Sequence, residues 1–127
     1  MESREYIGRL DIIFPMNRKL TIPKTFREIY LARQGFKMSE LFLKVEESES
    51  GSFLGFYENE GNKTEKYLLD KTSKIYLPSK LINELEIKER AIFLGMGNNF
   101  ELWNPSRILD FFNKTSLLYE ELIRGIA

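Results

Sequence analysis

Short apolar stretches separated by polar breaks open the chain. Residues 6–14 are rich in apolar and β-branched side chains and predict a strand, which Pro15-Met16-Asn17 ends. Lys19 to Ile22 predicts a second short strand. Pro23 stops it, because proline cannot donate to a strand ladder but suits the first turn of a helix. The helix that follows is indicated by the three- and four-residue spacing of Phe26, Ile29 and Tyr30.

The pattern then recurs. Apolar positions at Leu81, Leu85 and Ile82 predict a second short helix, and residues 91–97 and 100–103 around Asn98-Asn99 predict a hairpin. Asn104 followed by Pro105 predicts the start of a last helix. Its apolar positions, on or near one face, are Ile108, Phe111, Phe112, Leu118, Leu122 and Ile126.

An internal repeat explains the recurrence. Residues 13–28 align with residues 68–83 at a constant offset of 55, which pairs Lys19 with Lys74 and Pro23 with Pro78. Further along, residues 41–43 resemble residues 92–94, and Phe56-Tyr57 resembles Leu102-Trp103. The repeat predicts two halves, residues 1–60 and 61–127, each ordered as strand, tight turn, short strand, short helix and hairpin.

The size of the halves limits the architecture. A unit of about 60 residues buries a poor core on its own. We therefore expect the halves to interleave into one barrel or to pair with another chain. Either arrangement relates the turns at residues 15–19 and 70–74 by a two-fold axis.

The composition excludes several kinds of chemistry. The chain has 127 residues with no His and no Cys, which excludes His-based triads, thiol nucleophiles, disulfides and His or Cys zinc sites. Asp11, Glu28, Asp70 and Glu101 could act as paired carboxylates, but nothing in their spacing selects them. We expect no enzyme, no cofactor and no small-molecule substrate.

Charge is balanced overall and uneven locally. The net charge is zero, so a nucleic-acid partner must meet a local basic patch. Residues 1–45 carry a net charge of +4, whereas residues 46–60 hold five Glu and no Lys or Arg. This acidic segment fits a hairpin with a solvated tip, a linker, or both. Without an apolar leader or a run of about 18 apolar residues, no membrane is expected, and we expect a cytoplasmic protein.

Both turns carry a family resemblance. The second reads DKTSKIYLP and the first PMNRKLTIP, and the chain continues with FLGMGNNFELW before a helix. These segments resemble the MraZ family, whose signature is Asp, three variable residues, Gly-Arg and an apolar-x-apolar-Pro strand in each half. Here Arg18 and Ser73 stand where the family has Gly, which predicts turns of a different shape. The helical segments that the family usually has after the first hairpin are replaced by the acidic segment.

The resemblance implies a fold and a function. The fold is mainly β with short helices, an α+β fold of two AbrB-like swapped-hairpin halves in a pseudo-two-fold barrel, plus a C-terminal helix. The function is a transcriptional regulator that acts as a homo-oligomer, such as a ring, on double-stranded DNA in the cytoplasm and nucleoid. Matched basic clusters around the turns are the predicted DNA-binding residues: Asn17, Arg18, Lys19, Lys24, Arg27, Lys71, Thr72, Ser73, Lys74 and Lys80.

A second hypothesis concerns the last helix. Both signature turns depart from the family pattern, and Lys at positions 19 and 74 loses the bidentate fork of Arg. The chain could therefore be an assembly or protein-binding module without sequence-specific DNA binding. In either case the predicted subunit interface consists of Phe111, Phe112, Leu118, Tyr119 and Leu122.

Overall fold

Eight strands and two short helices make up the part of the protein that the structure describes. The computed structural model describes residues 4–108. The elements in chain order are β1 (Arg9–Ile13), β2 (Lys19–Thr21), α1 (Lys24–Gln34), β3 (Glu40–Ser48), β4 (Gly51–Tyr57), β5 (Glu65–Leu68), β6 (Lys74–Tyr76), α2 (Ser79–Leu85), β7 (Arg90–Gly95) and β8 (Phe100–Trp103). Residues 105–108 are helical, where the last helix was predicted to begin. The expected fold class, mainly β with short helices, is confirmed.

The strands of the two halves interleave. The main sheet has six antiparallel strands in the order β1-β7-β8-β4-β3-β5, and β2 pairs with β6 in a separate two-stranded ribbon. All four strands of the first half thus pair with strands of the second: β1 with β7, β2 with β6, β3 with β5 and β4 with β8. The described pairings do not close a barrel, since β1 and β5 each have one strand neighbour in that order.

An approximate two-fold axis relates the halves. In the ribbon Leu20 lies opposite Ile75, its equivalent in the repeat. Flanking hydrogen bonds repeat the relation, because the N–H of Ile22 donates to the Ser73 carbonyl at 3.0 Å and that of Leu77 donates to the Arg18 carbonyl at 2.9 Å. The β4–β8 pairing is symmetric in the same way about Gly55 and Glu101.

The structure corrects one part of the repeat alignment. Ile12 lies opposite Ala91 and Tyr67 lies opposite Leu41, so the equivalent of Leu41 is Ala91 rather than Ile92. The sequence comparison was one residue out of register here. Such a slip exchanges the two faces of a strand, and Ala91 and Leu41 both point into the same core. The match of Phe56-Tyr57 with Leu102-Trp103 is confirmed by their shared pairing positions.

The main core lies between the inner face of the sheet and the layer formed by the ribbon and helices. Leu20 and Ile75 from the ribbon, and Phe26 from α1, share this core with sheet residues such as Phe93. Phe26 stands edge-on to Phe93, with ring centres 6.0 Å apart. A smaller cluster on the outer face joins Ile92, Trp103 and Ile108. The ribbon is thus fixed by its inward side chains.

The acidic segment is a hairpin rather than a linker. Glu46 and Glu47 belong to β3, and Ser48 pairs with Gly51 across a two-residue loop. At the far end of β4, the side chain of Glu58 is 6% exposed and accepts hydrogen bonds of 2.9 to 3.0 Å from Arg33 and Tyr6. Burial, and next the Glu58 charge, raise the pKa of Tyr6. The ion pair between Arg33 and Glu58 ties α1 to the end of β4.

Candidate nucleic-acid interface

The two signature turns have the same backbone shape. Arg18 and Ser73 adopt φ values of 61° and 63°, in the left-handed region that glycine favours. The N–H of Arg18 donates to the Pro15 carbonyl at 3.1 Å, and that of Ser73 donates to the Asp70 carbonyl at 3.0 Å. The prediction that these residues would give the turns a different shape is wrong in this respect. Both take up the glycine-like conformation without glycine.

A carboxylate organises the second turn. Asp70 Oδ1 accepts hydrogen bonds from the Thr72 N–H at 2.8 Å, the Thr72 hydroxyl at 2.7 Å and the Lys74 N–H at 3.0 Å. These bonds, that of the Thr72 hydroxyl first, hold the pKa of Asp70 below its usual range. Asp70 therefore stays ionised at neutral pH and closes the turn that leads into β6.

The first turn reaches the same result with a different residue. Pro15 stands at the position of Asp70 and has no carboxylate to offer. Instead, Asn17 Oδ1 accepts a 3.0 Å hydrogen bond from the N–H of Lys19, the equivalent of Lys74. Asn17 lies two residues before its donor Lys19, whereas Asp70 lies four residues before its donor Lys74. The sequence did not indicate this substitute, because Asn17 has no equivalent role in the second turn.

The turns lie at opposite ends of the ribbon, on its outward side. Leu20 and Ile75 point inward, whereas Lys19, Thr21 and Tyr76 are exposed and Lys74 is half-buried. Arg18 lies over the Tyr76 ring, 5.2 Å from its centre, and donates from Nη2 to the Tyr76 hydroxyl. We define the ribbon face as the outward residues of the ribbon and turns: Asn17, Arg18, Lys19, Thr21, Lys71, Thr72, Lys74 and Tyr76.

Four other predicted residues have different surroundings. Ser73 is 6% exposed, so its hydroxyl is not presented at the surface. Arg27 Nε donates to the Ile22 carbonyl at 3.0 Å, and Lys24 lies 3.8 Å from Glu28 within α1. Lys80 lines a cleft against β3 and β5 together with Glu84. The structure therefore brings together six of the ten predicted residues, and leaves these four out of the ribbon face.

Sequence reasoning missed two members of the ribbon face and a flanking pair of basic residues. Thr21 and Tyr76 occupy the outward positions of β2 and β6, which the alternation along each strand could have indicated. Lys88 and Arg90 line the same groove as Arg18, together with Glu89. Only the three-dimensional fold reveals that groove, because Arg18 and Lys88 come from different halves.

The carboxylates considered for catalysis have separate neighbours. Asp11 pairs with Arg9 at 3.1 Å, Glu28 with Lys24, and Glu101 accepts a 2.9 Å hydrogen bond from Trp103 Nε1. Burial raises the pKa of Glu101. Within residues 4–108, no group of three or more His, Cys, Asp and Glu side chains could hold a metal ion.

The predicted subunit interface, from Phe111 to Leu122, lies outside the described residues. Within the part of the chain that the structure describes, no helix is long and apolar enough to cross a membrane.

Comparison with known proteins confirms the resemblance to a family. Residues 62–120, slightly under half of the chain, match the family model described as "MraZ protein, putative antitoxin-like". Three curated relatives carry the name "Transcriptional regulator MraZ": those of Finegoldia magna (28% identical over 58 residues), Ruegeria pomeroyi (34% over 38) and Rhodospirillum rubrum (33% over 45). The matches cover 46%, 30% and 35% of this chain and 41%, 23% and 29% of the relatives. The names of these relatives describe regulators rather than enzymes, in agreement with the expectation on catalysis.

Proposed function

We propose that this chain, which carries MraZ-family sequence over residues 62–120, is a transcriptional regulator that binds double-stranded DNA through the ribbon face, as a homo-oligomer in the cytoplasm and nucleoid. The observation that carries the proposal is the placement of both repeat-related turns on the outward side of one ribbon, one turn at each end. The names of the relatives agree with this function.

Charge supports the proposal. The ribbon face holds four cations, Arg18, Lys19, Lys71 and Lys74. The nearby carboxylate of Asp70 is already hydrogen-bonded to three donors of its own turn. A chain with no net charge thereby presents a local positive surface, as phosphate binding requires.

Shape also supports it. The major groove of B-DNA admits a two-stranded β-ribbon, and side chains on the outward face of such a ribbon reach the base edges. Thr72 and Asn17 already use polar atoms to hold their turns, so their part in base reading is limited. Arg18 is therefore the leading candidate for base contact, and the lysines for phosphate contact.

A salt titration tests the proposal. We would measure fluorescence anisotropy with the DNA upstream of the gene and a scrambled duplex, over a series of salt concentrations. Wild-type protein should bind the native duplex more tightly, with affinity falling steeply with salt. Changing Lys71 and Lys74 together to Ala should lower the slope of log affinity against log salt by about 2, as expected for two lost phosphate contacts. Changing Arg18 and Lys19 together to Ala should weaken binding of the native duplex and lower the slope by about 1, because only Lys19 is assigned a phosphate contact.

Lys44 and Lys66 provide the matched control. Both belong to strands of the main sheet, where Lys44 pairs with Glu46 and Lys66 pairs with Glu40, and their change to Ala removes the same charge. The control should keep the wild-type slope, and light scattering in the same buffer gives the number of copies per complex. Equal, weak and salt-insensitive binding of both duplexes would contradict the proposal and favour the assembly module. An equal loss in the control would refute the ribbon face.

A further inference from the structure

We infer that the two ends of the ribbon differ in function: Arg18, held by Tyr76, reads a base edge, while the Ser73 end of the ribbon contacts only phosphates. This inference rests on the proposed DNA binding and makes Tyr76 a positioning residue for Arg18. It arises from a comparison of repeat-equivalent positions, because the two ends share a backbone but not a set of side chains.

The backbone of Arg18 is fixed from both halves of the molecule. Its N–H donates to the Pro15 carbonyl within its own turn, and its carbonyl accepts from the Leu77 N–H of the other half at 2.9 Å. With φ at 61°, the residue sits in a narrow conformational region. The point from which the side chain leaves the turn is therefore well defined.

The side chain of Arg18 is fixed by Tyr76. The guanidinium carbon lies 5.2 Å from the centre of the ring, and Nη2 donates to the Tyr76 hydroxyl. Within residues 4–108, the Tyr76 hydroxyl is the hydrogen-bond partner of the Arg18 guanidinium. Most of the five N–H donors of the guanidinium therefore remain for a ligand. A planar, pre-positioned fork matches the N7 and O6 acceptors of guanine in the major groove.

The other end of the ribbon lacks this pair. Ser73 takes the place of Arg18 and is 6% exposed, and Thr21 takes the place of Tyr76. The charged groups there are Lys71 and Lys74, beside Asp70. A lysine ammonium is a point charge without the geometry of a fork, and it suits phosphate oxygens.

The experiment separates specificity from affinity. A random duplex pool is selected on the wild-type protein, and the selected and scrambled duplexes are then titrated against the variants. Arg18→Lys keeps the charge and removes the fork, and should lower the selected-to-scrambled affinity ratio by about 10- to 100-fold. Tyr76→Phe removes the hydroxyl alone, and Tyr76→Leu removes the ring as well. Both Tyr76 variants should lower the selected-to-scrambled affinity ratio, and Tyr76→Leu should lower it more. The affinity for scrambled DNA should stay within about twofold of wild type.

Two variants at the other end serve as controls. Thr21→Val, at the position equivalent to Tyr76, should leave the ratio unchanged. Lys74→Gln should weaken binding to both duplexes equally. Circular dichroism checks the fold of each variant. If another variant unfolds, Tyr76→Phe, which removes only the hydroxyl, still tests the inference.

The outcomes distinguish the inference from the function. Salt-sensitive binding with an unchanged ratio in the Arg18 and Tyr76 variants overturns the inference and leaves the function standing. A selection that enriches no sequence also overturns the inference and leaves the function standing. A fall in the selected-to-scrambled affinity ratio for Lys74→Gln as large as that for Arg18→Lys has the same meaning. Absence of salt-sensitive binding to any duplex overturns the function itself.

Discussion

Asp70 and Asn17 perform one task with different chemistry. Each side-chain oxygen accepts the N–H of the lysine that starts the strand after its turn. The carboxylate is titratable and the amide is not. The repeat alignment located both turns but could not predict this exchange, because the acceptor moves along the chain from the first position of the turn to the third.

The difference predicts a contrast in pH dependence. The pKa of Asp70 is lowered in the folded state, so its stabilising effect is present above the unfolded pKa of about 3.9 and is lost as pH falls through the folded value. Asp70→Ala should lower the urea midpoint at pH 7 and lose this effect in acid. Asn17→Ala should lower the midpoint by the same amount at both pH values. Parallel pH behaviour of the two variants would count against these roles.

The ribbon of β2 and β6 is the element that joins the halves at the candidate site. The short strands, their flanking turns and the proline stops were predicted from the sequence. The pairing of β2 with β6, and therefore the neighbourhood of Arg18 and Tyr76, was not. Three-residue strands carry no signal for their partner, since register depends on the buried face of the assembled core.

Deleting the inward side chains should destabilise the ribbon. Leu20 is 1% exposed and Ile75 is fully buried, so Leu20→Ala and Ile75→Ala should each lower the free energy of unfolding by about 2 to 5 kcal/mol. Because the two residues lie opposite each other, the double variant should differ from the sum of the singles. Urea denaturation measures these changes. Ile13→Ala, at an 81% exposed position, is the matched control and should change stability by less than about 0.5 kcal/mol.

At the scale of the whole molecule, interleaving was expected and is observed. The argument from size, that a half with four short strands has too little core of its own, left pairing with another chain as the alternative, and the strand pairings show interleaving within the chain. The halves were also expected to form one pseudo-two-fold barrel, and the described pairings consist of a six-stranded sheet and a two-stranded ribbon. The boundary at residue 60 falls in the loop between β4 and β5 and stays a prediction.

Separated halves should not fold as monomers. Expressed alone, residues 1–60 lack the second-half partners of all four of their strands, and residues 61–127 lack the first-half partners of β5, β6, β7 and β8. Neither fragment should show cooperative unfolding as a monomer, whereas mixing them should restore the circular dichroism and denaturation midpoint of the intact chain. Since the halves are equivalent, a fragment that folds alone should do so as a dimer. A folded monomeric half would disprove the interleaved core.

The covalent link between the two equivalent halves has a further consequence. In a homodimer built from one such half, every substitution enters both turns at once, and the bound sequence must mirror that symmetry as a palindrome. Here the chain holds both copies in one polypeptide, so Pro15 and Arg18 could arise in one turn while Asp70 and Ser73 occupied the other. Duplication and fusion therefore free each turn to evolve alone, and under the proposed function a symmetric scaffold becomes able to recognise an asymmetric, directional sequence.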